Sequence, residues 1–220
     1  NNYRYFPYKE SLPLLIEGNR KNFRDPNRTV IAFSTKYASS YYSGNKYTIL
    51  PKRYEIIEYG HERKSLKVWG KGYESMSEGE NTRDSTNRAQ EKDKILANYD
   101  FNLAIENTEF PFYVTEKIWE SIISGCLPIY FSNCTIYTDF PKNSFIDYRD
   151  FSGPEALFKY IHNMTIEEFR SRMNLCIMAF NRIIVETKAQ TFYPCPMNKN
   201  LEKVNYSQCY GNFIDKLRSI

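Results

Sequence analysis

The sequence predicts an α/β fold built on a mostly parallel sheet. Three observations predict it. Short apolar runs of strand length alternate with stretches of helical period. Helix boundaries fall between them: Thr115 stands as an N-cap and Gly125 as a C-terminal stop around 116–124. Two capping boxes, Ser152 with Glu155 and Thr165 with Glu168, open further helices.

Residues 1–28 read as a lead-in segment, with an apolar patch from Leu12 to Ile16 ended by Gly18. Thr29 to Phe33 reads as a buried strand. A Ser/Tyr/Gly/Asn-rich loop runs to Leu50, then Pro51 to Tyr59 reads as a helix with Gly60 just past its end. Leu66 to Trp69 is a second strand, closed by Gly70-Lys-Gly72. The stretch 73–92 is almost wholly polar and reads as a solvated, mobile excursion, either a plain surface insertion or a lid. Periodicity returns at Lys94 to Asn98.

Phe101 to Ile105 is a strand, Thr115 to Ser124 a helix, Leu127 to Phe131 a strand and Ser144 to Asp147 a short one. The capping box at Thr165 opens a long helix towards Glu186. Residues 29–190 therefore read as one domain and 191–220 as a tail, with a last short helix near Gly211 to Arg218. There is no internal repeat.

With 220 residues, 41% hydrophobic and 25% charged, the chain can bury a core and is not disordered as a whole. No apolar run approaches the roughly 18–20 residues of a membrane span. The start Asn-Asn-Tyr shows no signal peptide, and a removed anchor or signal upstream stays open. A net charge of +4, from 30 basic and 26 acidic residues, does not imply nucleic acid. The five cysteines form no C-x-x-C pair, and only His61 and His162 supply imidazoles, so no metal site is expected. Cys126, Cys134 and Cys176 read as core thiols. Cys195 and Cys209 lie in the polar tail and would pair only in an oxidising compartment. Sequons at Asn27, Asn133, Asn163 and Asn205 are weak evidence of secretion.

In a parallel sheet, ligands gather at the carboxyl ends of the strands. The loop Ile105-Glu-Asn-Thr-Glu-Phe-Pro-Phe-Tyr113 leads there into Val114-Thr-Glu-Lys117. Its logic favours a phosphate. A helix N-terminus carries roughly half a positive charge and free N–H donors. Lys117 in the first turn sits at the end a cation ordinarily avoids, at a cost of a few tenths of a kcal/mol, unless an anion meets it. Glu116 could accept two ribose hydroxyls, as acidic residues do at nucleotide sites. The two side chains project about 100° apart and could grip different parts of one ligand. The residues alone favour the plainer reading, with Glu116 as an ordinary first-turn acid and Lys117 as a solvated cation. Tyr113 either stacks on a base or packs the loop, and Glu106 and Asn107 either cap the loop or touch ligand.

Four segments in order then carry a resemblance. They are Tyr99-Asp-Phe-Asn-Leu-Ala-Ile-Glu-Asn-Thr108, Tyr113-Val-Thr-Glu-Lys117, Gly125-Cys-Leu-Pro-Ile129, and Pro141-Lys-Asn-Ser-Phe-Ile-Asp147 with Asp150-Phe151. This run resembles the donor-binding half of the α-1,3/4-fucosyltransferases, closely over about 95–162 and more loosely back to Thr29. The resemblance implies a Rossmann-like sheet flanked by helices, one half of a GT-B glycosyltransferase. It implies that GDP-fucose is the donor substrate, with no obligatory cofactor, and that a glycan hydroxyl accepts L-fucose with inversion. Lys117 would contact the diphosphate and Glu116 the ribose hydroxyls. Glu106, Asn107 and Tyr113 would shape the nucleotide pocket. Arg53 matches the family's phosphate-binding arginine, with Lys52 as fallback. Ser34-Thr-Lys36 and Ser132 depart from the family pattern. The acceptor half and the catalytic base would lie outside this chain, in an N-terminal domain or a partner chain. A different nucleotide sugar, or a non-catalytic binding module, stays open. The implied compartment is the Golgi lumen for a eukaryotic secretory enzyme and the cytoplasm for a bacterial or viral one.

Overall fold

A computed structural model describes residues 14–73, 76–79 and 88–189. The expectations for the 191–220 tail, including the Cys195–Cys209 pair and the last short helix, lie outside them. The chain divides into two units, 1–185 and 186–220, and the first carries the sheet and its crevice.

Among the described residues five strands form the sheet: β1 (Val30–Phe33), β2 (Leu66–Trp69), β3 (Phe101–Leu103), β4 (Leu127–Tyr130) and β5 (Ile146–Asp147). All pair in parallel, in the order β2-β1-β3-β4-β5. The helices are α1 (Ser39–Tyr42), α2 (Leu50–Glu62), α3 (Arg88–Leu96), α4 (Glu116–Ile123), α5 (Pro154–Asn163) and α6 (Ile166–Ala189). The predicted α/β fold with a parallel sheet is the one observed. Strands buried on both faces need continuous apolar runs, and every residue of β4 is buried. Trp119 of α4 is fully buried, with ring centroids 5.2 Å from Phe140 and 6.4 Å from Phe180 of α6. Burying a large apolar side chain contributes about 1.5–3 kcal/mol, so α4 is held by its inner face.

The strand order reverses direction of travel between β1 and β3. The chain first steps from β1 outward to β2, then returns past β1 to build β3, β4 and β5 on the other side. The loops after β1 and β3 therefore diverge and leave a crevice at their carboxyl ends, which is the usual ligand position in such sheets.

Several local expectations are corrected. Gly60 does not end α2 but lies inside it. A Cβ there would sit 2.4 Å from the Phe158 ring and 2.7 Å from Leu66 Cβ, so Gly60 lets α2 approach α5 and β2 closely. Ser152 does not cap α5. That helix starts at Pro154 after Gly153, without a side-chain cap. At α6 half of the expected box forms: Glu168 N donates to Thr165 Oγ1 at 3.1 Å. The Glu168 carboxylate instead accepts from Tyr160 Oη and Arg172 Nε. Cys126 and Cys176 are buried as expected, but Cys134 is exposed on a 3-10 turn after β4. The polar stretch 73–92 is not wholly excursion. Tyr73 is buried, Ser77 bridges to Val68, and α3 already starts at Arg88.

Residues 14–28 are more than a lead-in. Phe23 packs against Phe101 and Phe169, with centroids 6.0 and 5.4 Å away. Arg20 pairs with the fully buried Asp100, which also accepts from the Arg24 and Asp25 backbone N–H groups. The segment thus supplies the partners of a buried carboxylate at the amino end of β3.

Candidate functional site

The crevice holds a cavity of about 200 Å³. One wall is the end of β1 and the loop after it, with Phe33, Ser34, Thr35 and Tyr37. The opposite wall is the loop after β3 and the start of α4, with Asn107, Tyr113, Thr115, Glu116 and Lys117. Arg53 of α2 and Lys92 of α3 complete it.

The loop after β3 is pinned from both sides. Ile49 N donates to Asn107 O, Glu109 N to Tyr47 O, and Thr48 bridges Thr108. On the other side Phe112 N donates to Thr135 Oγ1, and Ser132 Oγ donates to Tyr113 O at 3.0 Å. Ser132, where the sequence departs from the family pattern, therefore holds this loop from just past β4.

Glu106 organises the centre. It is fully buried behind the cavity wall. Its two carboxylate oxygens accept from Thr115 N (2.8 Å), Thr115 Oγ1 (2.7 Å), Lys117 Nζ (2.9 Å) and Tyr130 Oη (3.1 Å). Thr115 stands at the N-cap position as expected, but its hydroxyl does not cap α4. It serves Glu106. The same carboxylate gives Lys117 a resident anionic partner at the start of α4. Lys117 Nζ also donates to Thr115 Oγ1 at 2.7 Å and lies 3.6 Å from Glu116 Oε1. Glu106 and Thr115 engage two of its three N–H groups. The ammonium is thus aimed before any ligand arrives.

Arg53 lies on the inner face of α2 and is 4% exposed. Its Nη1 donates to Asn107 Oδ1 at 2.8 Å and to Ile105 O at 3.2 Å, while Nε has no hydrogen-bond partner among the described residues. Burial pushes its pKa down and Tyr73, Tyr54 and Glu106 push it up, but a guanidinium stays charged throughout. A buried cation hydrogen-bonded to neutral oxygens is stabilised by an anion binding against it. Lys52, the fallback, faces away from this cavity and lies 4.0 Å from the Phe131 ring centroid.

Burial raises the Glu116 pKa, but Lys117, its own backbone N–H, Lys92 and Thr115 outweigh this and hold the carboxyl below its usual range. The folded-state value is then lower than the unfolded one. Ionised Glu116 stabilises the fold above the ordinary carboxylate range, and this contribution is lost as pH falls through the folded value. Melting temperatures of the wild type and Glu116→Gln should therefore differ at neutral pH and converge in acid. A gap that widens below about pH 4 contradicts this.

The structure thus brings Arg53, Asn107, Tyr113, Glu116 and Lys117 to one cavity, with Glu106 behind them. Sequence reasoning misses Lys92 and the wall formed by Phe33, Ser34, Thr35 and Tyr37. Lys92 falls at the end of the polar stretch and shares its composition. Its signal is its place one turn before Ile95 and Leu96, where helical period resumes. Ser34 and Thr35 are held by two tyrosines: Tyr73 Oη donates to Ser34 Oγ at 2.9 Å and Tyr54 Oη to Thr35 O at 3.2 Å. Among the described residues no group of three or more His, Cys, Asp or Glu could hold a metal ion, and no helix is long and apolar enough to cross a membrane.

A family model, glycosyltransferase family 10 (fucosyltransferase), C-terminal part, matches residues 33–209. The chain belongs to this family. Among curated relatives, the α-(1,3)-fucosyltransferase B of Drosophila melanogaster is 43% identical over 72 residues, 32% of this chain and 16% of that protein. The α-(1,3)-fucosyltransferase FucT of Helicobacter pylori is 40% identical over 74 residues, 32% of this chain and 16% of that protein. The GDP-fucose protein O-fucosyltransferase 3 of Gallus gallus is 42% identical over 72 residues, 32% of this chain and 15% of that protein. Each of these matches spans 15–16% of the relative's length. A crystal structure of an α1,3-fucosyltransferase with GDP-fucose aligns with a TM-score of 0.50 and 22% identity, over 74% of this chain and 49% of that one. At that identity it speaks for the fold alone.

Proposed function

We propose that this chain binds GDP-fucose as the donor half of an enzyme that transfers L-fucose, with inversion, to a glycan hydroxyl. The observation that carries the reading is the pairing of buried Arg53 and pre-aimed Lys117 beside Glu116 at the switch point, in a chain of this family. Arg53, Lys117 and the α4 N-terminus face the diphosphate, and Glu116 accepts the ribose hydroxyls. Asn107 and Tyr113 shape the wall.

In the transfer, an acceptor oxygen attacks the anomeric carbon of fucose. The bond from that carbon to the β-phosphate oxygen breaks, and the acceptor proton passes to a general base. Charge grows on the departing GDP. Lys117, Arg53 and the helix dipole meet it without reorganising, since each is already held by the protein. The base and the acceptor site are assigned to a part of the protein outside these residues.

Calorimetry with GDP tests the donor site. The chain should bind GDP, and Lys117→Ala should weaken binding by about 1–3 kcal/mol, the cost of a charge-assisted hydrogen bond. No binding at millimolar nucleotide overturns the reading, and an unchanged affinity in the variant removes the role of Lys117. Comparing hydrolysis of GDP-fucose with that of other nucleotide sugars tests the donor.

A further inference from the structure

Charged groups lining the cavity, and the partners directly behind or beside them, stand in a definite order. At one end Arg53 is joined to Asn107. Next comes Lys117 with Glu106, then Glu116, 3.6 Å from Lys117. Beyond Glu116, one helical turn along α4, stands Glu120, which forms an ion pair with Lys92 of α3. Glu116 and Glu120 are four residues apart and share a face of the helix. Lys92 lines the same cavity as Arg53 and Lys117, and Glu120 stands at its edge as the ion-pair partner of Lys92. The sequence of groups is therefore cations, a carboxylate, then a carboxylate paired with an ammonium. A nucleoside diphosphate has the matching sequence: phosphates, ribose hydroxyls, base.

We infer that the Lys92–Glu120 pair reads the base and selects guanine. This rests on the proposal that a nucleoside diphosphate occupies the cavity with its phosphates at Arg53 and Lys117. Guanine presents an acceptor, O6, beside two donors, N1–H and the 2-amino group. An ammonium and a carboxylate side by side complement that edge: Lys92 donates to O6, and Glu120 accepts from N1–H and the 2-amino group. Adenine reverses the pattern. Its 6-amino group would face the ammonium and its unprotonated N1 the carboxylate, so both contacts turn repulsive.

The pair is built to hold this geometry. Side-chain exposure is 12% for Lys92 and 30% for Glu120, so both are partly withdrawn from solvent yet reachable. The Lys92 ammonium also lies 4.9 Å from the Phe33 ring centroid, a cation–π contact that fixes it over the end of β1. Among the described residues one of its three N–H groups serves Glu120, which leaves donors for a base. The Glu116 carboxyl feels the charge of Lys92, as expected if base reader and ribose acceptor are neighbours.

Titration calorimetry with GDP, IDP and ADP tests the inference on the unaltered 220-residue chain. Affinity should fall in that order, because IDP lacks only the 2-amino group and ADP reverses the edge. Lys92→Met should weaken GDP and IDP alike by about tenfold, within the range for a good base contact, and should not weaken ADP, whose 6-amino group no longer faces an ammonium. Glu120→Gln should weaken GDP more than IDP and narrow the GDP-to-ADP ratio. Equal affinity of the unaltered chain for all three nucleotides overturns the inference. So does an unchanged GDP-to-ADP ratio in both variants while Lys117→Ala still weakens GDP, and that result leaves the donor-site reading standing. If no nucleotide binds the unaltered chain, the donor-site reading fails and this inference falls with it.

Discussion

Glu106→Ala is expected to destabilise the fold by about 3 kcal/mol. That is the lower end of the cost of breaking a buried ion pair by removing one partner, chosen because Lys117 keeps 18% side-chain exposure while Glu106 has none. The substitution removes the acceptor of four hydrogen bonds at once. The backbone N–H of Thr115, its hydroxyl and the Tyr130 phenol would lose their partner in or beside the core. An orphaned buried donor costs about 1–3 kcal/mol in its own right. The effect should reach the ligand as well, because Lys117 would no longer be held at the mouth of α4, and GDP affinity should fall together with stability. Chemical denaturation monitored by circular dichroism measures the first effect and calorimetry the second. A loss of stability below about 1 kcal/mol would show that Glu106 is not the hub its contacts describe.

Gly70→Ala should have an effect of similar size from a different cause. Gly70 follows β2 with φ of +149°, and a Cβ there would lie 1.7 Å from the Ser34 carbonyl oxygen. Backbone cannot yield as a flexible side chain does. Strain of about 1–3 kcal/mol from the dihedral adds to an overpacking cost of about 1–3 kcal/mol, so about 3 kcal/mol in all is expected. The displaced segment is the cavity wall itself, Ser34 and Thr35, so nucleotide affinity should fall too. Gly153→Ala is the control. A Cβ there meets nothing within 4 Å, and its backbone is extended, so stability should change by no more than about 0.5 kcal/mol. Thermal denaturation of both variants decides the matter: equal melting temperatures would refute the role of close approach at Gly70.

These two sites show where local sequence reading reaches its limit. Thr115, Glu116 and Lys117 are legible because a helix start has a short-range signature of N-cap, first-turn acid and C-terminal glycine, all within about ten residues. Arg53 emerges only through family resemblance, since its partners Ile105 and Asn107 lie 52 and 54 positions away. The resemblance assigns Glu106 to the pocket, yet its position behind the wall depends on Tyr130 and Thr115 closing over it. Ser152 and Gly60 mislead for a related reason. Each has the right chemistry for a helix boundary, but Pro154 starts α5 without a side-chain cap, and the packing of Phe158 and Leu66 carries α2 through Gly60. Lys92 is hidden by its polar neighbours, because composition describes the average of a stretch and not which face of α3 meets the sheet.

The sequence alone determined the alternation of strands and helices, hence the parallel sheet, and the chemistry gathered at the loop after β3. Both rest on contacts between residues near each other in the chain, where period and capping are written directly. The tertiary structure alone decided the strand order that opens the crevice between β1 and β3, the buried carboxylate that aims Lys117, and the meeting of Lys92 with Glu120. The strand order and the Lys92–Glu120 pair join segments tens of residues apart, and the carboxylate is enclosed only when β4 brings Tyr130 over it. Their approach follows from how the whole core packs.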